Sequence, residues 1–170
     1  MVIPRPPPEG DIMTSRERPA FLCDRMLGRL CRKLRLLGYD AKLNPEKETG
    51  RFFLNAEFEG RIAVTRARGL RDRPGRSPIV IEAEETGDQL EELFGKLGER
   101  PELLPFTRCL ECNVPLEEAE AESVTGSVPA YIAERFDRFH RCPACGRIYW
   151  KGSHFEAMRE EVERIKKMLE

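Results

Sequence analysis

The sequence predicts a small α/β domain with a mainly parallel sheet and helices, followed by a four-cysteine module and a C-terminal helix. Two observations predict it. Short apolar runs of the buried-strand kind, in FLC, RIAVT and PIVIEA, alternate with stretches whose apolar residues recur every three to four positions. Beyond residue 106 this texture gives way to short apolar pieces around cysteine pairs. A chain of 170 residues has room for one modest core plus a small stapled module.

The segment FLCDRMLGRLCRKLRLLGYD opens as a strand and then changes period. Leu27, Leu30, Leu34 and Leu37 mark the buried face of a helix, and Arg25, Arg29, Arg32 and Lys33 occupy the rest of its surface. Asp24 stands at the junction, where its carboxylate can cap the first turn. Gly38 stands where a left-handed helix terminus is expected. The carboxyl end of a strand that runs into a helix is also where open α/β sheets build their sites. After Asn44 and Pro45, the spacing of Phe52, Phe53, Ala56 and Phe58 predicts a second helix. RIAVT reads as a buried strand, a basic loop follows, and PIVIEA is the next strand. Thr86 is expected to cap a helix that buries Leu90, Leu93, Phe94 and Leu97. These elements define an α/β domain over residues 19–104, preceded by a disordered, proline-bearing tail over residues 1–18. Phe155, Met158, Val162, Ile165 and Leu169 predict a helix over residues 153–170.

Charged residues make up 35% of the chain and no apolar run approaches the eighteen or so residues of a membrane span, so a membrane protein is excluded by expectation. MVIPRPPPEGD lacks the apolar stretch of a secretory signal, and the expectation is a cytoplasmic protein. The formal net charge of −1 conceals a segregation. Arg25, Arg29, Arg32, Lys33 and Arg35 meet only Asp24, and Arg61, Arg66, Arg68, Arg71, Arg73 and Arg76 meet only Asp72. Residues 82–122 are strongly acidic. If the basic stretches share a face, that face can track a phosphate backbone, with Arg25, Arg29, Lys33, Arg66 and Arg68 as the contacts. The alternative is two ordinary solvated faces.

Six cysteines without an export signal are expected to be reduced. Cys109-Leu-Glu-Cys112 and Cys142-Pro-Ala-Cys145 are two C-x-x-C knuckles, and four thiolates complete a tetrahedral shell suited to zinc. With four sulfurs the shell is closed, so the ion is structural and its module spans residues 105–152. The 29 residues between Cys112 and Cys142 exceed the usual gap of about 15–20, and VPAYIAERFD within them suits a short helix or strand. Buried thiols or a redox pair are the alternatives, and a redox site would use one knuckle. Cys23 and Cys31 read as small core residues. Phe136, Phe139, Tyr149 and Trp150 beside the second knuckle either stack on bases or cover the module's small core.

Four pieces, FLCDRMLGRLCRKLRLLGYD, RIAVTRARGL, RCLEC and RFHRCPACGRIYWKGSHFEAM, carry a resemblance to the Mut-seven C-terminal RNase domain family over about residues 20–156. The resemblance implies a PIN-like α/β fold with an appended zinc ribbon, a divalent metal such as Mg²⁺ or Mn²⁺ at a carboxylate cluster, and cleavage of RNA. Hard cations of this kind are held by converging oxygens, activate a water and stabilise charge on the attacked phosphate. Asp24 carries over as the first acid of the cluster. An acid is expected after Thr65-Arg66, where this chain has Ala67. The middle acid falls near Thr49, with Glu46 and Glu48 close by, and Asp72 can substitute for the third if its loop folds back. The residues implied are therefore Asp24, Glu48 and Asp72. A non-catalytic RNA-binding protein or a protein-interaction adaptor is the alternative, in which Asp24 is only a helix cap.

Overall fold

The computed structural model describes residues 18–44, 49–70, 77–98 and 101–170. The tail expected over residues 1–18 lies, except for Arg18, outside them. A four-stranded, all-parallel sheet runs in the order β2-β1-β3-β4, built from β1 (Phe21–Cys23), β2 (Ala41–Leu43), β3 (Ile62–Thr65) and β4 (Ile79–Val80). Between β1 and β2 a 3-10 turn leads into α1 (Gly28–Leu36). Between β2 and β3 runs α2 (Thr49–Phe58), and α3 (Thr86–Leu97) follows β4.

The alternation of side chains along the strands splits the core in two. Phe21, Cys23 and Val64 join Leu27, Leu30, Leu34 and Leu37 of the α1 region and Leu90, Leu93 and Phe94 of α3 in the larger cluster. Leu22 and Ala63 face the other way, onto Phe52 and Ala56 of α2. Helices thus cover both faces, as an all-parallel sheet requires. Cys23 and Cys31 are buried core residues, as the sequence suggests. Two details differ from expectation. Phe58 is 92% exposed, because it lies roughly 200° around α2 from buried Ala56, on the outer side with exposed Leu54. Thr86 is the first residue of α3 and Glu85 occupies the cap position without a side-chain bond. Ahead of the helix, the Glu92 carboxylate accepts the N–H groups of Glu82 and Ala83 at 2.9 Å each, which holds the segment leading into α3.

Gly38 ends the α1 region at φ 87°, and a Cβ there would lie 2.0 Å from the Leu104 carbonyl oxygen. Only glycine satisfies both the dihedral and the close approach. Residues beyond 105 form a second, antiparallel sheet of β5 (Glu117–Glu120), β6 (Arg138–Arg141) and β7 (Ile148–Trp150). Its long connection holds α4 (Ala121–Val124) and α5 (Ala130–Arg135). Val124, Ile132 and Phe139, flanked by Phe136 and Trp150, make its own small core. The last element, α6 (Ser153–Met168), returns to the first body and buries Val162 and Ile165 in the larger cluster. Among the described residues no helix is long and apolar enough to cross a membrane.

Candidate functional sites

Strand order places one acid at the point where the chain reverses direction across the sheet. From β1 the chain crosses over to β2 on one side, and β3 then lies on β1's other side. Crevices at the carboxyl ends of two such strands are where open α/β sheets bind ligands. Asp24 directly follows β1 there, and its N–H donates to the Val64 carbonyl of β3 at 2.9 Å. The side chain is pinned by three donors. Oδ1 accepts the Met26 N–H at 2.8 Å, which is the cap the sequence suggests. Oδ2 accepts the Thr65 hydroxyl at 2.5 Å and the Arg66 N–H at 2.9 Å. Thr65 Oγ1 in turn accepts the Ala67 N–H at 3.1 Å, so position 67 sits on the same small network.

Around this point Arg25, Arg29 and Arg68 are exposed and Arg66 is half-buried. Lys33 forms an ion pair with Glu161 of α6. Arg61, at the start of the second basic stretch, is buried and grips Asp40 with two nitrogens, at 2.6 and 3.2 Å. Arg32 pairs with Glu111, and Arg35 donates to the Leu110 and Glu111 carbonyls at 2.8 and 2.7 Å. The basic stretches therefore divide. Some of their members hold the fold, while Arg25, Arg29 and Arg68 present charge to solvent. Glu48 and Asp72 lie outside the described residues. Among the described residues no group of three or more metal-ligating side chains gathers at Asp24.

The four knuckle cysteines do converge. The sulfurs of Cys109, Cys112, Cys142 and Cys145 all lie within 4.8 Å of one another. Those of Cys109 and Cys145 are 3.9 Å apart, close to the edge of roughly 3.8 Å that a tetrahedron with Zn–S bonds of about 2.3 Å requires. Burial pushes the Cys109 thiol up, but the Tyr149 hydroxyl and the N–H groups of Cys112 and Glu111 outweigh it and bring it down to about 6. Hydrogen bonding to Cys145, then burial, pushes Cys112 up to about 12. Four thiolates this close repel one another, and a divalent cation is what would allow all four to ionise together. The donor set fits a metal ion such as zinc. The sequence missed a supporting residue here: the Tyr149 hydroxyl lies 3.2 Å from the Cys109 sulfur. Burial and that sulfur raise the phenol, which keeps its proton as donor. Nothing in the local pattern marks it, because β7 delivers Tyr149 to the opposite knuckle.

Asn113 and Arg35 tie the ribbon to the sheet, and Arg61 supports them by holding Asp40. Asn113, at φ 66° just after Cys112, accepts the Ala41 N–H at 3.0 Å and donates to Asp40 at 2.6 Å.

These features define a small doubly wound α/β domain joined to a four-cysteine ribbon, with an acid at the sheet's switch point. The family model for the Mut7-C RNAse domain matches residues 19–162, most of the chain, and the chain belongs to that family. No curated protein and no solved structure matches it.

Proposed function

We propose that this chain binds RNA across the carboxyl edge of its parallel sheet and cleaves it as a divalent-cation-dependent ribonuclease, with a structural zinc in its ribbon. The observation that supports this reading is the placement of Asp24 at the switch point, held by three donors, with acceptor capacity left on Oδ1 beside the Met26 N–H. Asp24 alone does not make an ion site. Mg²⁺ is usually held by one or two carboxylates together with substrate phosphates, so Glu48 or Asp72 would have to join it. The cation, Mg²⁺ or Mn²⁺, would activate water and offset charge on the phosphate. The chain's own part is to hold Asp24 rigid through Thr65 and Arg66 and to offer Arg25, Arg29, Arg66 and Arg68 to the backbone, with Lys33 joining if it leaves Glu161.

Ala67 favours a second reading, RNA binding without cleavage, since an acid is expected there. One experiment separates the two. Purified protein and its Asp24→Asn variant are incubated with structured and unstructured RNA, with and without Mn²⁺. Cleavage that needs Mn²⁺ and disappears in the variant supports the first reading. Equal inertness of both proteins, with RNA still bound, supports the second. Both fail if Arg25→Glu, Arg29→Glu and Arg68→Glu together leave the affinity and its salt dependence unchanged.

A further inference from the structure

A cleft of about 670 Å³ lies between the outer face of the ribbon sheet and the α/β body, well away from the Asp24 edge in sequence and made by different elements. Its two walls differ in chemistry. The body contributes Leu36, Phe106, Phe155 and Met158, with the Phe106 and Phe155 rings 4.6 Å apart at 43°. Across from them the ribbon contributes Glu118, Arg138, His140 and Tyr149. Register explains why these are on one face: Glu118 pairs with His140 and His140 with Tyr149, whereas the next row, Ala119, Phe139 and Trp150, turns toward the ribbon's own core. Lys151 stands on the cleft lining, its nitrogen 6.0 Å from the Phe155 ring centre.

We infer that this cleft is a subsite for one base of single-stranded RNA. A planar heterocycle needs an aromatic surface against its face and a mixture of donors and acceptors along its edge. The two walls supply these separately: rings on the body side, and on the ribbon side the donors of Arg138 with the acceptors of Glu118. Lys151 at the lining matches the phosphate that a base brings with it. The volume falls within the range of about 300–1,000 Å³ typical of small-molecule sites. The walls are also held in place. The Tyr149 hydroxyl is anchored on Cys109. The Trp150 indole lies so close to Gly152 that a Cβ there would be 2.8 Å from its nitrogen. A duplex cannot insert a base without unpairing it, so the cleft selects single strands. The inference rests on the RNA reading above, and it names which form of RNA the chain prefers.

Trp150 is the chain's single tryptophan and lies behind the Tyr149 row of the cleft, against the ribbon core, so its fluorescence reports occupancy indirectly and is paired with calorimetric titration. The zinc-loaded full chain carrying Asp24→Asn is titrated, without added divalent cation, with AMP, CMP, a short single-stranded RNA and the corresponding duplex. The expected result is a saturable Trp150 response to the mononucleotides and a tighter one to the single strand, with the duplex much weaker. Phe155→Leu keeps the apolar volume and removes the ring, and weakens the response about five-fold or more. Glu118→Gln, on an exposed strand position, changes the ratio of AMP to CMP affinity while the melting temperature stays put. No binding of any nucleotide by fluorescence or by calorimetry overturns the inference. So does a response that neither variant alters, or self-association through Phe155 and Met158 in place of nucleotide binding. Nucleotide binding by the variant, with no RNA cleavage by the unmutated chain in Mn²⁺, would sink the nuclease reading alone. Cleavage by the unmutated Asp24 chain with no nucleotide binding by either measure would sink the cleft alone.

Discussion

Asp24 owes its position to contacts that are distant in sequence. Its cap to Met26 is local and legible, since an acid between a strand and a helical period is a familiar signal. Its bond to Thr65 spans 41 positions and exists only because β1 and β3 pair in parallel with Cys23 opposite Val64. Apolar periodicity finds both strands but not their register, so Thr65 was invisible as a partner. Thr65 is buried and its hydroxyl both donates to Asp24 and accepts from Ala67. Thr65→Val should therefore cost about 1–2 kcal/mol and loosen Asp24, read as a lower denaturation midpoint. The same network makes Ala67 informative. Ala67 is exposed, and its N–H is one hydroxyl away from the Asp24 carboxylate. Ala67→Asp should leave stability within about 0.5 kcal/mol and raise Mn²⁺-dependent cleavage above that of the unaltered chain. A variant that folds but cleaves no faster on the same RNA would show that position 67 does not face the cation.

At the scale of elements, the two knuckles were legible from spacing alone, because two C-x-x-C turns leave few other uses for four thiols. The connection between them was not. β5 is Glu117–Glu120, and its EEAE composition has none of the β-branched or aromatic residues that mark a strand. It becomes a strand because β6 offers Arg138 and Arg141 opposite Glu120 and Glu117, and because Ala119 faces the small core. Packing thus absorbs the length that made the gap look unusual. Since that core holds only Val124, Ile132 and Phe139 fully, the expectation is that a metal on the four cysteines supplies much of the ribbon's stability. Purified protein should carry close to one zinc per chain by elemental analysis. Cys109→Ser with Cys142→Ser should lose it, and amide exchange should then rise across residues 106–152 before it rises in β1 or α1. Full zinc retention in the double variant would refute the site.

For the whole molecule, the deciding contact is the one that joins ribbon to sheet. In the sequence Arg61 reads as one more charge in a basic stretch, since composition cannot show which side of a strand start a guanidinium takes. In the structure it is 9% exposed, bonded to Asp40 and, through its Nε, to Glu59 at 2.7 Å. Asp40 also takes the Asn113 amide, so a single carboxylate joins β2, β3 and the first knuckle. Burial pushes that carboxyl up, but the Arg61 and Asn113 hydrogen bonds outweigh it and hold it below its ordinary value of 3.8. A carboxyl depressed in the folded state contributes stability that is complete above its unfolded value and is lost as pH falls through the folded one. The window is therefore below about pH 4. Asp40 is 32% exposed, so solvent screens the pair, and Asp40→Asn should cost about 1 kcal/mol at neutral pH rather than the several of a fully buried pair. Zinc content is measured alongside, because release of the ion frees the knuckle that Asp40 holds through Asn113 and shifts the two proteins unequally. Denaturant midpoints measured from neutral pH down to about pH 3 should show that difference constant at first and then narrowing below about pH 4. A gap that stayed constant through the acid range would mean that Asp40 acts by shape and not by charge.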